Sequence, residues 1–290
     1  MPLVAAAMMP HGFAIIPELT DGMAGSISTG KAMEEVGRRF GAAGVEAIVL
    51  VGPHGTRVDG AMCVMDVGRA AGSLAQGDRS VDVNVPCDRL LIERIMAETK
   101  ASGIPVAAAG FGGNRSDQSV APLDWGGLVP LWFLGHDANV AGSGSVLAAT
   151  PEEDTGPTVV LITPARALSR DAMVDFGHVL GRIFEGDSRR IGFVASCDWA
   201  HTHTEDGPYG AHPKAPEVDA KVVEAVKSND LHSLAKLPEQ DVVDAAIDGL
   251  WQTLILAGIQ DVTPCDVDFL SYQVPAYFGM IVAAYAPAGE

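Results

Sequence analysis

Residues 45–54 read Val45-Glu46-Ala47-Ile48-Val49-Leu50-Val51-Gly52-Pro53-His54. A short apolar run stopped by glycine and proline is the pattern of a buried strand in an α/β sheet. The same arrangement opens the chain, as Leu3-Val4-Ala5-Ala6-Ala7-Met8-Met9-Pro10-His11. Both runs end in Pro-His-Gly, so each histidine stands between a residue that fixes φ and one that frees it. In open α/β sheets, sites form in the loops beyond the C-terminal ends of strands. Two imidazoles placed this way on neighbouring strands suit one shared metal ion. The plainer alternative is a pair of ordinary loop histidines.

Working outward, Ala32, Met33, Val36 and Phe40 recur at helical spacing and predict a helix within 26–44. Residues 61–67, 80–85 and 104–109 read as strands, and Pro86-Cys87-Asp88 opens a helix that Ser102-Gly103 closes. Strands are expected at 158–163 and 190–195 around a helix over about 169–186. The last third reads as helical up to Gly258, with closing strands at 268–274 and 278–285. Residues 142–157 are small, polar and acidic, a surface excursion or a seam. Strands alternating with helices predict a single α/β domain over residues 1–290. Its central sheet would be mostly parallel or mixed, with helices on both faces.

With 290 residues, 48% of them hydrophobic and 19% charged, the chain has the composition of a globular protein. A net charge of −18 argues against nucleic acid and anionic membrane surfaces as partners. No apolar run approaches the ~20 residues that span a bilayer, and the opening residues carry no basic leader pattern. The expectation is a cytoplasmic protein. Cys63, Cys87, Cys197 and Cys265 are scattered, as core residues are, with no C-x-x-C pair.

A second constellation follows the strand at 190–195: Ser196-Cys197-Asp198-Trp199-Ala200-His201-Thr202-His203, continuing to Tyr209 and His212. A metal with open positions commonly takes two imidazoles and a carboxylate on one face. A further histidine near its ordinary pKa can move a substrate proton at neutral pH. His201 and His203 are candidates, and Asp198 is placed to orient the His201 ring. A solvated polar loop is the simpler reading of the same residues.

Taken together, these motifs resemble the class III extradiol ring-cleavage dioxygenases, the superfamily of the protocatechuate 4,5-dioxygenase catalytic subunit. The likeness runs through Met9-Pro10-His11-Gly12, Gly52-Pro53-His54, Pro122-Leu123-Asp124-Trp125-Gly126 and Ser196-Cys197-Asp198-Trp199-Ala200-His201. It continues in Gly207-Pro208-Tyr209-Gly210 and ends in residues 272–280. The resemblance implies Fe(II) held by His11, His54 and a third ligand that falls on Gln273, where the family has glutamate. It places the catalytic base on His201 and a substrate-facing position on Trp125, with Asp198, His203 and Tyr209 as further substrate contacts. The substrates it implies are O₂ and a catechol or 2-aminophenol ring. A homo-oligomer is expected, with or without a small accessory subunit. Were Gln273 elsewhere, an acid such as Asp198 or Glu18 would have to complete the ligand set.

Two other readings compete. A Memo-type protein, binding metal or a partner without ring cleavage, is favoured by the amide at Gln273. A metal-dependent hydrolase is suggested by His201-Thr202-His203, but amidohydrolases carry such a pair after their first strand. No G-x-S-x-G, P-loop or G-x-G-x-x-G is present.

Overall fold

The two apolar runs are strands β1 (Leu3–Met9) and β2 (Ala47–Val51) in the computed structural model, which describes residues 2–20, 26–136 and 156–289. A short turn α1 (Pro17–Thr20) and helix α2 (Ile27–Ala42) connect them. Next come β3 (Met62–Met65), β4 (Arg69–Gln76), β5 (Arg79–Pro86), α3 (Arg89–Ala101), β6 (Val106–Ala109), β7 (Val120–Pro122) and α4 (Trp125–Leu131). The second half holds β8 (Thr158–Thr163), α5 (Arg170–Glu185), β9 (Ile191–Ser196), α6 (Lys214–Lys227), α7 (Glu239–Asp244) and α8 (Leu250–Val262). Strands β10 (Cys265–Gln273) and β11 (Met280–Pro287) close the chain.

Eight strands make one mixed sheet in the order β10-β11-β1-β9-β2-β8-β3-β6, flanked by helices. Strands β1, β9, β2 and β8 run parallel to one another, while β11 is antiparallel to β1 and β3 antiparallel to β8. Every residue of β2 and β9 is buried, which is why these segments read as unbroken apolar runs and not as alternating ones. The parallel block has one decisive consequence. The C-terminal ends of β1, β9, β2 and β8 lie along one edge, so the loops at His11, residues 197–203, His54 and Arg166 emerge side by side.

A three-stranded sheet, β5-β4-β7, stands apart from the main one. Its strand β4 is not evident from the sequence, because Arg-Ala-Ala-Gly-Ser-Leu-Ala-Gln has neither β-branched residues nor clean alternation. The backbone pairing along β5 holds it, from Arg69↔Pro86 to Gln76↔Arg79.

Side-chain caps start the helices where the sequence suggests. Asp88 accepts from the Leu91 amide and Ser169 from the Ala172 amide. Helices α5 and α8 meet backbone to backbone, since a Cβ on Gly258 would fall 2.0 Å from the Val174 carbonyl oxygen. The four cysteines are buried and free. Among the described residues no helix is long and apolar enough to cross a membrane. Of the excursion expected at 142–157, residues 142–155 lie outside the described residues.

Candidate metal centre

His11 leaves the end of β1 and is almost fully buried, 2% exposed. Its Nδ1 stands 3.1 Å from Ser196 Oγ, and that hydroxyl donates its proton to the Gly126 carbonyl at 2.5 Å. The hydroxyl can therefore only accept from the ring, so Nδ1 carries a proton, and Nε2, which faces Asp198 and Asp248, is the nitrogen left to a cation that displaces its proton. His54, at the end of β2, repeats the device. Its Nδ1 donates to Asp124 Oδ2 at 2.9 Å, while Asp124 also caps α4 by accepting from the Gly127 amide. Burial tends to raise the Asp124 pKa, but the bond from His54 and its charge outweigh this and hold the carboxyl below the usual range. Carboxylate or hydroxyl partners on the far ring nitrogen are what orient metal-binding imidazoles. Gly126 is needed beside them, because a Cβ there would lie 2.8 Å from His54 Cε1.

The two rings meet edge to face with centroids 4.9 Å apart. The third group beside them is Asp248, from the turn between α7 and α8. Ligand atoms of His11, His54 and Asp248 all lie within 4.8 Å of one another. Asp248 Oδ1 accepts the Asp198 amide at 3.1 Å, and Oδ2 is 3.6 Å from His11 Nε2. Despite burial, the hydrogen bond and charge of His11 hold Asp248 as a carboxylate, below its ordinary pKa. Asp198 goes the other way, raised by burial and by the neighbouring Asp248 charge. Burial alone would depress His11, yet the paired carboxylates push it up to about 9. Buried negative charge gathered around two pre-oriented imidazoles is an environment that calls for a cation.

Gln273 is not in this set. Its side-chain oxygen accepts from both the amide and the hydroxyl of Thr29, each at 2.8 Å, on the flank of β10 that faces α2. Nor does Glu18 serve, since it lies exposed on α1. Asp198 lies in the cavity wall, but it binds His11, through the His11 amide at 3.2 Å and Nε2 at 3.3 Å, where an orienting contact to His201 was expected.

His201 reaches the same cavity. Its ring stacks on Phe278 at 5.4 Å with planes 21° apart, and Nε2 is 3.8 Å from Asp248 Oδ2. Its Nδ1 is buried without a hydrogen-bond partner among the described residues. His203 points elsewhere: its Nε2 is 2.9 Å from Asp219 Oδ2, a carboxylate that also accepts from Tyr272 and from the Ala200 amide. The loop is irregular here and turns the two rings toward different partners, so that His201 lines the cavity and His203 does not. Trp125 and Tyr209 both line it, Trp125 with its ring 4.6 Å from His54.

The cavity itself holds about 520 Å³. His11, His54, Asp198, His201 and Asp248 supply its polar groups, while Phe13, Leu74, Trp125, Phe278 and Met280 supply apolar wall. That is the volume and the balance of a small-molecule site.

The family described as the catalytic LigB subunit of aromatic ring-opening dioxygenase matches residues 5–282. The chain belongs to that family. Every residue of the candidate centre falls within the matched span. Among relatives of this LigB-family chain, Protein CA_C1420 of Clostridium acetobutylicum is 23% identical over 268 residues, covering 92% of this chain and 54% of that protein. The chain thus spans about half the length of this curated relative. A crystal structure of the uncharacterized protein JW3007 from Escherichia coli K12 superposes with a TM-score of 0.61 at 14% identity. The match covers 97% of this chain and 99% of that one, and it shows a shared fold.

Asp248 escapes sequence reasoning. It stands in Ala245-Ala246-Ile247-Asp248-Gly249, an irregular turn in which Ala246 adopts φ 49°. Its one sequence signal is an acid directly before the glycine that opens an apolar helix.

Proposed function

We propose that the protein is an Fe(II)-dependent extradiol dioxygenase that opens a catechol- or 2-aminophenol-type ring with O₂. The observation that supports this most is the donor set His11, His54 and Asp248 at the floor of a ring-sized apolar cavity, with His201 beside it. Two imidazoles and one carboxylate with open positions are the donors associated with non-haem iron that activates oxygen. Fe(II) held by these three side chains would supply a centre that binds the vicinal heteroatoms and O₂ together and lets electron density pass between them.

The chain's own residues do the rest. Ser196 and Asp124 keep both imidazoles in the tautomer that offers Nε2. Asp248 contributes one negative charge and the substrate's deprotonated oxygen a second. His201, whose Nε2 faces the centre 3.8 Å from Asp248 Oδ2, accepts the hydroxyl proton as the ring enters and can return it when the product forms. Phe278, Met280 and Trp125 exclude water from the ring and hold it flat. The Memo-type reading leaned on Gln273 as a ligand, and Gln273 is bonded to Thr29 instead.

The deciding experiment is anaerobic purification with metal analysis, iron reconstitution, and O₂ uptake on catechol and 2-aminophenol. Uptake coupled to a yellow ring-opened product supports the proposal. Stoichiometric iron with no uptake on any ortho-substituted ring overturns it.

A further inference from the structure

His201 differs from the other two histidines of the cavity in what holds it. His11 and His54 each have a ring nitrogen fixed, by Ser196 and by Asp124. The His201 ring makes no hydrogen bond among the described residues. Its Nδ1 is unpartnered, and Nε2 stands 3.8 Å from Asp248 Oδ2, beyond hydrogen-bonding distance. Such a ring takes its place from its own backbone and from the surface stacked on it, which here is Phe278.

Both supports run to one carboxylate. Asp219, on α6, is fully buried and does not line the cavity. Its Oδ1 accepts the Ala200 amide at 3.0 Å, directly before His201, and its Oδ2 lies 2.9 Å from His203 Nε2, two residues after it. Oδ2 also accepts the Tyr272 hydroxyl at 2.8 Å, near the end of β10. The chain turns from there towards Phe278. The two segments are laced together directly as well. Trp199 donates to the Gly279 carbonyl at 2.8 Å, Gly279 to the Ala200 carbonyl at 3.0 Å, and the His203 amide to the Tyr277 carbonyl at 3.2 Å. Asp219 lies hard against this lacing, since a Cβ on Gly279 would collide with Oδ2. A carboxylate is costly to bury unless its oxygens are bonded. Here all its bonds go to the two segments that place the His201 ring.

We infer that Asp219 is the positioning residue of His201: by holding the chain on both sides of the ring, and through Tyr272 the connection that carries Phe278, it sets where His201 Nε2 stands over the metal centre. This rests on His201 as the base of the proposed reaction. Asp219 touches no substrate and acts through His201, while His203 serves as one of its anchors.

A double-mutant cycle separates an effect relayed through His201 from a general loss of structure. Protein loaded with Zn²⁺, which does not activate O₂, is saturated with 4-nitrocatechol, whose visible absorption distinguishes the singly from the doubly deprotonated ligand. The quantity read is the ratio of doubly to singly deprotonated ligand, at the pH where the wild type holds them equally. His201→Ala should lower this ratio, because the acceptor of the second proton is gone. We expect Asp219→Ala to lower it by about 10-fold or more, the scale of a misplaced reacting group. Asp219→Asn, which keeps the volume and an acceptor for the Ala200 amide, should lower it less. Neither should lower it further in the His201→Ala background. On the iron enzyme both should reduce kcat, by up to about 100-fold, with KM little changed. Should Asp219→Ala not fold, Asp219→Asn and Tyr272→Phe carry the test. An equal drop in both backgrounds, or no drop where His201→Ala gives one, overturns the positioning role. A ratio that His201→Ala leaves unmoved, or failure of 4-nitrocatechol to bind, overturns His201 as the base and the inference with it. The expected ratios with no O₂ uptake on iron overturn ring cleavage and leave the role of Asp219 standing.

Discussion

Ser196 Oγ lies 3.1 Å from His11 Nδ1 and has already committed its proton to the Gly126 carbonyl. One hydroxyl therefore fixes which nitrogen of a buried histidine faces the carboxylates of the cavity. Strand β9 ends at Ser196 between β1 and β2, so the residue that sets the His11 tautomer belongs to the strand separating the two histidine-bearing ones.

Ser196→Ala should weaken metal binding by about 10–100-fold, the usual effect of removing an orienting partner of a ligand histidine. Competitive titration with a fluorescent chelator measures this. Affinity equal to the wild type would mean that burial alone orients the ring.

Asp248→Asn and Gln273→Glu form a contrasting pair. We expect Asp248→Asn to lower metal affinity by at least about 10-fold, since a hard cation loses its carboxylate. Gln273→Glu should leave it unchanged, because the new carboxylate would accept the same two hydrogen bonds from Thr29. Metal content after dialysis reads both. Tighter metal binding in Gln273→Glu would restore Gln273 to the ligand set.

His201→Ala should lower kcat by roughly 10²–10⁴-fold with metal content preserved. Parallel loss of metal would assign the ring to ligation.

Acid stability provides a test away from the site. Arg189 pairs with Asp187 at 2.9 Å and also reaches Asp88, the cap of α3. The bonds from Arg189, acting against partial burial, hold Asp187 down at about 2. Its folded pKa lies below its unfolded value of ~3.9. The stability it contributes is therefore complete above pH 4 and lost as the pH falls through about 2. Asp187→Asn should be less stable than wild type at pH 7, with the difference in Tm shrinking as the pH is lowered from 4 to 2. A difference constant across that range would show that Asp187 does not titrate as described.

What the sequence disclosed depends on how tightly backbone pattern constrains side-chain position. His11 and His54 were legible because an apolar run, a proline and a glycine tie each to the end of a buried strand, and parallel strands bring such ends together. Asp248 sits in a turn with no period, held by the Asp198 amide 50 residues earlier in the chain, and nothing local records that bond. Gln273 was misplaced because the family likeness set it at the ligand position by motif order alone, and a likeness of sequence does not record that its side-chain oxygen is taken up by Thr29. Beside His201, nothing local marks His203 as the ring that turns away. The carboxylate Asp219 that receives its ring lies on α6, and only the tertiary fold shows which member of the pair it takes.

The sheet order has a bearing on how the protein is made. Strand β1 pairs with β11 on one side, through Ala6↔Tyr285 and Ala7↔Ala284, and with β9 on the other. During synthesis β1 must wait for segments some 190 and 280 residues later before its edges are covered. Contacts this distant in sequence make for slow folding and leave unpaired edges exposed meanwhile. The three proposed ligands are likewise scattered, and the set does not exist until Asp248 has been synthesised and seated. A nascent chain with two histidines and no third donor holds a metal poorly, so loading belongs to the finished protein. Iron uptake should then rise in step with the recovery of the native sheet during refolding, and could serve as its chemical clock.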